Sequence, residues 1–96
     1  MHVHLLAEAE KDLLDIHKYI ARYDERNADA FIFELRRKIA SLSHRPEAHP
    51  LIGLGDIRRR LHGRYLILFR LIPRLNRVTI IRVLHSARDI NMIELL

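Results

Sequence analysis

Apolar residues recur through the first half of the chain at helical spacing. Ala9, Leu13, Ile16, Ile20 and Tyr23 follow one another at intervals of four, three, four and three, which is one face of a helix starting near Ala7. Glu8, Glu10 and Asp12 fall in its first turns, where negative charge suits the helix dipole. The short apolar stretch Val3–Leu6 before it is expected to be a strand. A polar turn over Asp24–Asn27 leads to a second helix, with Asn27 as N-cap and Ala28, Phe31, Leu35, Ile39 and Leu42 as the apolar face. So short a connection makes the two helices an antiparallel hairpin.

The rhythm changes after Leu42. Residues Ser43 to Gly55 contain Pro46, Pro50, Gly53 and Gly55 and read as a loop. Asp56–Leu61 then reads as a strand, broken by His62-Gly63. Along Arg64–Ile72, Tyr65, Ile67, Phe69 and Leu71 alternate with Leu66, Leu68, Arg70 and Ile72; two largely apolar faces mark a central strand. Pro73–Asn76 forms a turn. In the last strand, Val78–Leu84, strict alternation sets Thr79, Ile81 and Val83 opposite Val78, Ile80, Arg82 and Leu84. The segment Ala87–Leu96 is expected to be a short helix or an extended arm. The order β-α-α-β-β-β describes an α+β fold, a helical hairpin packed on a small antiparallel sheet. One sheet face should meet the helices and the other should carry the arginines.

Ninety-six residues make one domain over 1–96, with no room for a second core. There is no cysteine, which excludes disulfides and thiolate metal sites and suits a reducing compartment. The longest uncharged apolar run, Tyr65–Phe69, is too short to cross a membrane, and Met1-His2-Val3-His4 is unlike a signal peptide. These features lead to the expectation of a cytoplasmic protein with no membrane contact.

The net charge of +5 is unevenly spread. Residues 1–55 hold eight basic and nine acidic side chains, whereas residues 56–96 hold nine basic and three acidic ones. All nine of the latter are arginine, and lysine does not occur after Lys38. The guanidinium fork matches carboxylates and phosphates, so this half is expected to engage a negatively charged macromolecule. A solubilising surface is the alternative reading.

Arg58 and Arg60 share one side of their strand. Arg70 and Arg82 each interrupt an apolar strand, so each must face water, a ligand or a helix acid such as Asp15 or Asp29. His85, at a strand end beside Ser86 and Arg88, suits either general acid–base chemistry on RNA or a hydrogen bond that holds a turn. If the protein is a nuclease, its candidate catalytic residues are Arg60, Arg64, Arg82 and His85. Arg58, Arg60, Arg64, Arg82, His85 and Arg88 are the candidates for binding a target or partner. His2 and His4 share a side of the first strand but have no third ligand, so no metal site is expected. No phosphate loop, nucleophile elbow or paired-carboxylate site is present, and no cofactor is expected.

The segment Arg82-Val83-Leu84-His85 closes a series of residues that resembles the ParE-type toxins of the ParE/RelE superfamily. The series begins with Ala9, Asp12, Leu13, Ile16, Tyr19 and Ile20 on the first helix. It continues through Ala30, Phe33, Leu35, Ile39 and Leu42, then Pro46, Ile57-Arg58, Tyr65, Ile67, Phe69 and Arg70. The resemblance spans nearly the whole chain. It implies a growth-inhibiting toxin encoded beside a cognate antitoxin, a small protein partly disordered before binding that forms a hetero-oligomer with it. The ParE branch is associated with poisoning DNA gyrase, and the RelE branch with cutting mRNA on the ribosome. Nucleases of the RelE type use lysines and arginines on the sheet and a tyrosine or histidine near the C-terminus. This chain has no lysine in that half and no tyrosine after Tyr65, so the resemblance favours gyrase. Two alternatives stay open: a ribosome-dependent mRNA endonuclease, and a nucleic-acid-binding module without toxicity.

Overall fold

The computed structural model describes residues 1–87. Strand β1 (His2–Leu5) leads into helix α1 (Ala7–Ala21) and helix α2 (Glu25–Ala40). Two short 3-10 turns follow at Ser41–Ser43 and Pro46–Ala48, and the chain then runs through β2 (Arg58–His62), β3 (Tyr65–Ile72) and β4 (Arg77–His85). The architecture is the expected strand, helical hairpin and three strands, and β3 is internal in a sheet of order β1-β4-β3-β2. The sheet is mixed where an antiparallel one was expected, because β1 pairs parallel with β4. The connection between these two parallel strands runs through the helical hairpin, β2 and β3. Arg88 and the rest of the expected C-terminal helix or arm lie outside the described residues.

The helices bury the expected stripe. Ala9, Leu13 and Ile16 from α1 and Leu35 and Ile39 from α2 pack with Leu42 on Ile67, Phe69, Val78, Ile80 and Val83 of the sheet. Tyr23 departs from the pattern: α1 has ended before it, and its ring is 79% exposed. The N-cap of α2 is Asp24, not Asn27. The Asn27 amide donates to the Asp24 side chain at 3.1 Å, so the helix starts about one turn earlier than its apolar face suggests.

The far face of the sheet carries only some of the arginines: Arg59 and Arg82 are both paired with Leu68 of that face and Arg70 lies two residues on from it, whereas Arg58 and Arg60 lie on the helix side. It holds a second apolar cluster of Ile57, Leu66, Leu68, Ile81 and Leu84, covered by Ile52, Leu54 and Leu6. The covering segment belongs to the expected loop, but it is tied down by backbone bonds. The Ile52 amide donates to the Ile57 carbonyl at 3.0 Å and the Arg59 amide to the Pro50 carbonyl at 3.0 Å. Gly53 and Gly55, at φ of 84° and 56°, supply the left-handed turns this fold-over requires.

A β-bulge also breaks the expected alternation of β4. Leu68 faces Arg82 and Phe69 faces Ile80, leaving Ile81 without a partner on β3. Ile81 and Val83, expected on one face, therefore fall into different clusters. The bulge lies just past the end of β1, where the Leu6 amide makes a last bond to the Ile80 carbonyl at 3.0 Å and the chain turns into α1. Among the described residues, β4 has no strand neighbour on its β1 side beyond that point. Asp12 of α1 takes the vacant position. Its carboxylate accepts two bonds from the Arg82 guanidinium, at 2.8 and 3.0 Å, and one from the Val83 amide at 2.9 Å. Both side chains are mostly buried, 24% exposed for Arg82 and 12% for Asp12.

An Asp12→Ala substitution strands a largely buried guanidinium and an edge amide together. It should destabilise the fold by about 3 kcal/mol in urea unfolding. The Asp12→Ala/Arg82→Ala double variant should lose clearly less than the sum of the two single losses.

Candidate functional site

The structure sorts the arginines by what holds them. Arg82 is bound to Asp12, a helix acid as anticipated but neither Asp15 nor Asp29. Arg70 pairs at 2.7 Å with Asp56 of the covering loop, again neither of those helix acids. Arg58 and Arg60 do share a side of β2, opposite Phe69 and Ile67, and that is the side facing the helices. Arg58 donates to the carbonyls of Glu47, at 3.2 Å, and His49, at 2.6 Å, stapling the second 3-10 turn to the sheet. Arg60 donates to the Ser41 hydroxyl at 2.6 Å and the Lys38 carbonyl at 3.4 Å. Arg59, Arg64, Arg74 and Arg77 have no hydrogen-bonded side-chain partner among the described residues.

Two concavities result. The larger is a groove of about 590 Å³ where the connected end of the helical hairpin meets the β2–β3 turn. Tyr19 and Ile20 line it from α1, Asn27 and Phe31 from α2, Gly63 and Arg64 from the turn, and Tyr65 and His85 from facing strand ends. The Tyr65 ring stands edge-on to Phe31 at 5.6 Å and to His85 at 5.4 Å. Burial, with a smaller contribution from Tyr19, raises the Tyr65 phenol above its ordinary value of 10.0, so the hydroxyl keeps its proton at neutral pH. Gly63 sits at φ 58°, and a Cβ there would lie 3.7 Å from the Phe31 ring. Nδ1 of His85 accepts the Ala87 amide at 3.1 Å, which is the turn-holding role, and leaves Nε2 as its other ring nitrogen.

The smaller concavity, about 330 Å³, lies on the other side of His62. It is lined by Glu34, Arg37, Lys38, Ser41, Arg60 and His62. The His62 ring packs on Phe31 at 5.1 Å, and its Nδ1 is buried without a partner. Of the four candidate nuclease residues, only Arg64 and His85 line one concavity. Arg60 faces the smaller recess and Arg82 is held at the β4 edge. The groove can thus offer an imidazole, two phenols and one guanidinium, on a largely apolar floor. Among the described residues, no cluster of three or more histidine, cysteine or acidic side chains is placed to hold a metal.

The sequence reading missed Tyr19, Phe31 and Arg37 as lining residues and treated Tyr65 only as core. Phe31 and Tyr65 lie on the apolar stripes, and only the early end of α1 uncovers them. A legible signal was Gly63, a turn glycine next to Arg64.

Burial is the main cause lowering His62 below the ordinary value of 6.5, with Lys38 and Arg60 adding to it and Glu34 opposing. Burial, then Arg60 and Arg58, lowers His49 as well. Below pH 6.5 the unfolded chain takes up protons that these folded sites resist. Their contribution to stability is complete above that value and declines as pH falls through the window down to the folded-state values. The melting temperature should therefore drop between about pH 7.5 and 5.5, and His62→Gln should flatten that slope. Glu10, held below its usual 4.5 by its hydrogen bond to Arg36, acts only in a more acidic window.

A family model described as the ParE toxin of type II toxin–antitoxin systems, parDE, matches residues 3–90. None of the curated proteins is a match. Among solved structures, a chain of the chromosomal ParDE system of P. aeruginosa is similar, with a TM-score of 0.79 at 14% identity over 88% of this chain and 95% of that one. The RelBE2 toxin–antitoxin complex of Mycobacterium tuberculosis contains a chain at TM-score 0.60 and 24% identity, over 91% of this chain and 92% of that one. The isolated E. coli RelE toxin gives 0.61 at 17% identity, over 94% and 88%. Identities this low establish a common fold, and the family match over most of the sequence establishes more: this chain belongs to the ParE toxin family of type II toxin–antitoxin systems.

Proposed function

We propose that this protein is the growth-inhibiting toxin of such a pair, that it acts by binding DNA gyrase and trapping its cleaved-DNA complex, and that a cognate antitoxin neutralises it. The observation that carries the reading is that the four candidate nuclease residues, Arg60, Arg64, Arg82 and His85, do not line one concavity. Cleavage of RNA by its 2′-hydroxyl requires a base, an acid and a cationic clamp converging on one phosphate. Arg82 is instead bound to Asp12, and Arg60 is anchored in a separate recess. The groove between the helices and β3 is walled mainly by Tyr19, Ile20, Phe31 and Tyr65. Such a surface suits an apolar anchor of a protein partner, with Arg64 at its rim meeting an acid.

The same groove fits the antitoxin. A segment that orders on binding would lay an apolar face on Tyr19, Phe31 and Tyr65 and an acidic one against Arg64. Occupation of the groove by antitoxin would then exclude the target directly. A second reading, ribosome-dependent mRNA cleavage, draws on one observation: Arg64 and His85 do line one groove.

Purified protein added to gyrase should block supercoiling and accumulate cleaved DNA while leaving message on translating ribosomes intact. His85→Ala should change gyrase inhibition by less than roughly tenfold, whereas removing a general acid–base from a nuclease costs roughly 10²–10⁴-fold. Arg64→Glu should abolish inhibition. Normal gyrase turnover at excess toxin, or codon-positioned cuts that vanish in His85→Ala, would overturn the gyrase reading.

A further inference from the structure

We propose that the recess between the C-terminal end of α2 and β2 is a binding site for a phosphate group, held by Lys38, Arg60 and Arg37. The argument starts from how these cations are held. Elsewhere in the described residues, Arg36, Arg70 and Arg82 each face a carboxylate, from Glu10, Asp56 and Asp12. Lys38 and Arg60 do not. Lys38 Nζ donates to the Leu61 carbonyl at 3.1 Å, and Arg60 Nη1 donates to the Ser41 hydroxyl and the Lys38 carbonyl. Neutral acceptors fix the direction of both cations and leave their charge uncompensated. Each also keeps donors to spare: Nε and Nη2 of Arg60, and two ammonium hydrogens of Lys38.

The third cation, Arg37, is paired with Glu34, the one acid lining the recess, in an exposed contact at 3.1 Å. An exposed pair of this kind contributes little and exchanges readily for a stronger anion. The recess therefore carries a net positive charge, three cations against the one carboxylate of Glu34. The dipole of α2 places partial negative charge at this end, which offsets part of that charge but not two full cations.

Geometry favours phosphate over carboxylate. A carboxylate is planar and is satisfied by one guanidinium fork. Here donors approach from a helix and from a strand across a volume of about 330 Å³, an arrangement that suits a tetrahedral group with several oxygens to share. The site does not depend on gyrase being the target, because inorganic phosphate probes it directly.

The test is a titration of the purified full chain with inorganic phosphate in chloride buffer, followed by NMR at the His62 ring and the Arg60 Nε–H. Saturable shifts at both are expected. Lys38→Gln should weaken binding about tenfold, as loss of a charged hydrogen-bond donor does, and Arg37→Gln should weaken it less. Arg74→Gln removes the same net charge from an exposed turn and should leave binding unchanged. Equal weakening by Arg74→Gln, absence of saturation, or acetate binding as tightly as phosphate would each overturn the proposal. A short DNA duplex that competes with phosphate at these resonances identifies a nucleic-acid backbone as the source of the group. A duplex that does not compete identifies free phosphate as the ligand.

Discussion

Three hydrogen bonds to one carboxylate hold the two halves of this molecule in register. Strand β1 is four residues long and β4 is nine, so about half of β4 emerges beyond its parallel neighbour. An unpaired strand edge in a small sheet is costly when buried and adhesive when exposed. Asp12 meets both difficulties, accepting the Val83 amide that a longer β1 would have engaged and neutralising the Arg82 side chain. The bulge at Ile81 lies immediately before this contact, and the contact fixes where β4 can bend. The angle between α1 and the sheet, and with it the mouth of the Tyr65 groove, follows from that one site.

Much of this was legible from spacing alone. The 3-4 rhythm of Ala9, Leu13 and Ile16, and of Ala28, Leu35 and Ile39, located both helices and their buried sides, because helical periodicity is a local property. The two-sided apolar character of Leu66–Phe69 likewise marked the internal strand. What escaped depended on partners distant in sequence. Nothing near Ile81 announces a bulge, which lies beside the end of β1, about 75 residues earlier in the sequence. Asp24 displaced Asn27 as the N-cap because two suitable caps stand three residues apart and only the packing of the first turn chooses between them. The far face was assigned to the arginines on charge alone. It does hold Arg59, Arg70 and Arg82, but a turn-rich stretch with Ile52, Leu54 and Ile57 covers its apolar part, although the aperiodic placing of those residues gave no sign of a packed surface.

The arginines show why charge counts are a weak guide to a site. By composition they form one cationic block, but in space they do three different tasks. Arg70 and Arg82 close ion pairs inside the fold, while Arg58 and Arg60 bind carbonyls and a hydroxyl and so pin the 3-10 turns to β2. Only Arg64 stands at the mouth of the aromatic groove with its guanidinium unengaged among the described residues. An arginine with a carboxylate partner is neutral to an approaching molecule, whereas one held by a carbonyl still projects its charge. Residue type was enough to suggest recognition of anions. The division between structural and available cations required knowing which acceptor each one had found.

The pairing of β1 with β4 also orders events in time. A chain leaves the ribosome from its N-terminus, so β1 and α1 are made before anything they pair with in the sheet. The strand partner of β1 is the last strand, and the Asp12 contact spans 70 residues. The helical hairpin can form early from local contacts, but its apolar stripe stays uncovered until β3 and β4 arrive. Closing the sheet is thus a late, long-range step that brings Tyr65 and His85 opposite each other at the same moment. The groove does not exist on a partly made chain, and the contact that completes the fold also assembles the cavity between the helical hairpin and the β2–β3 turn.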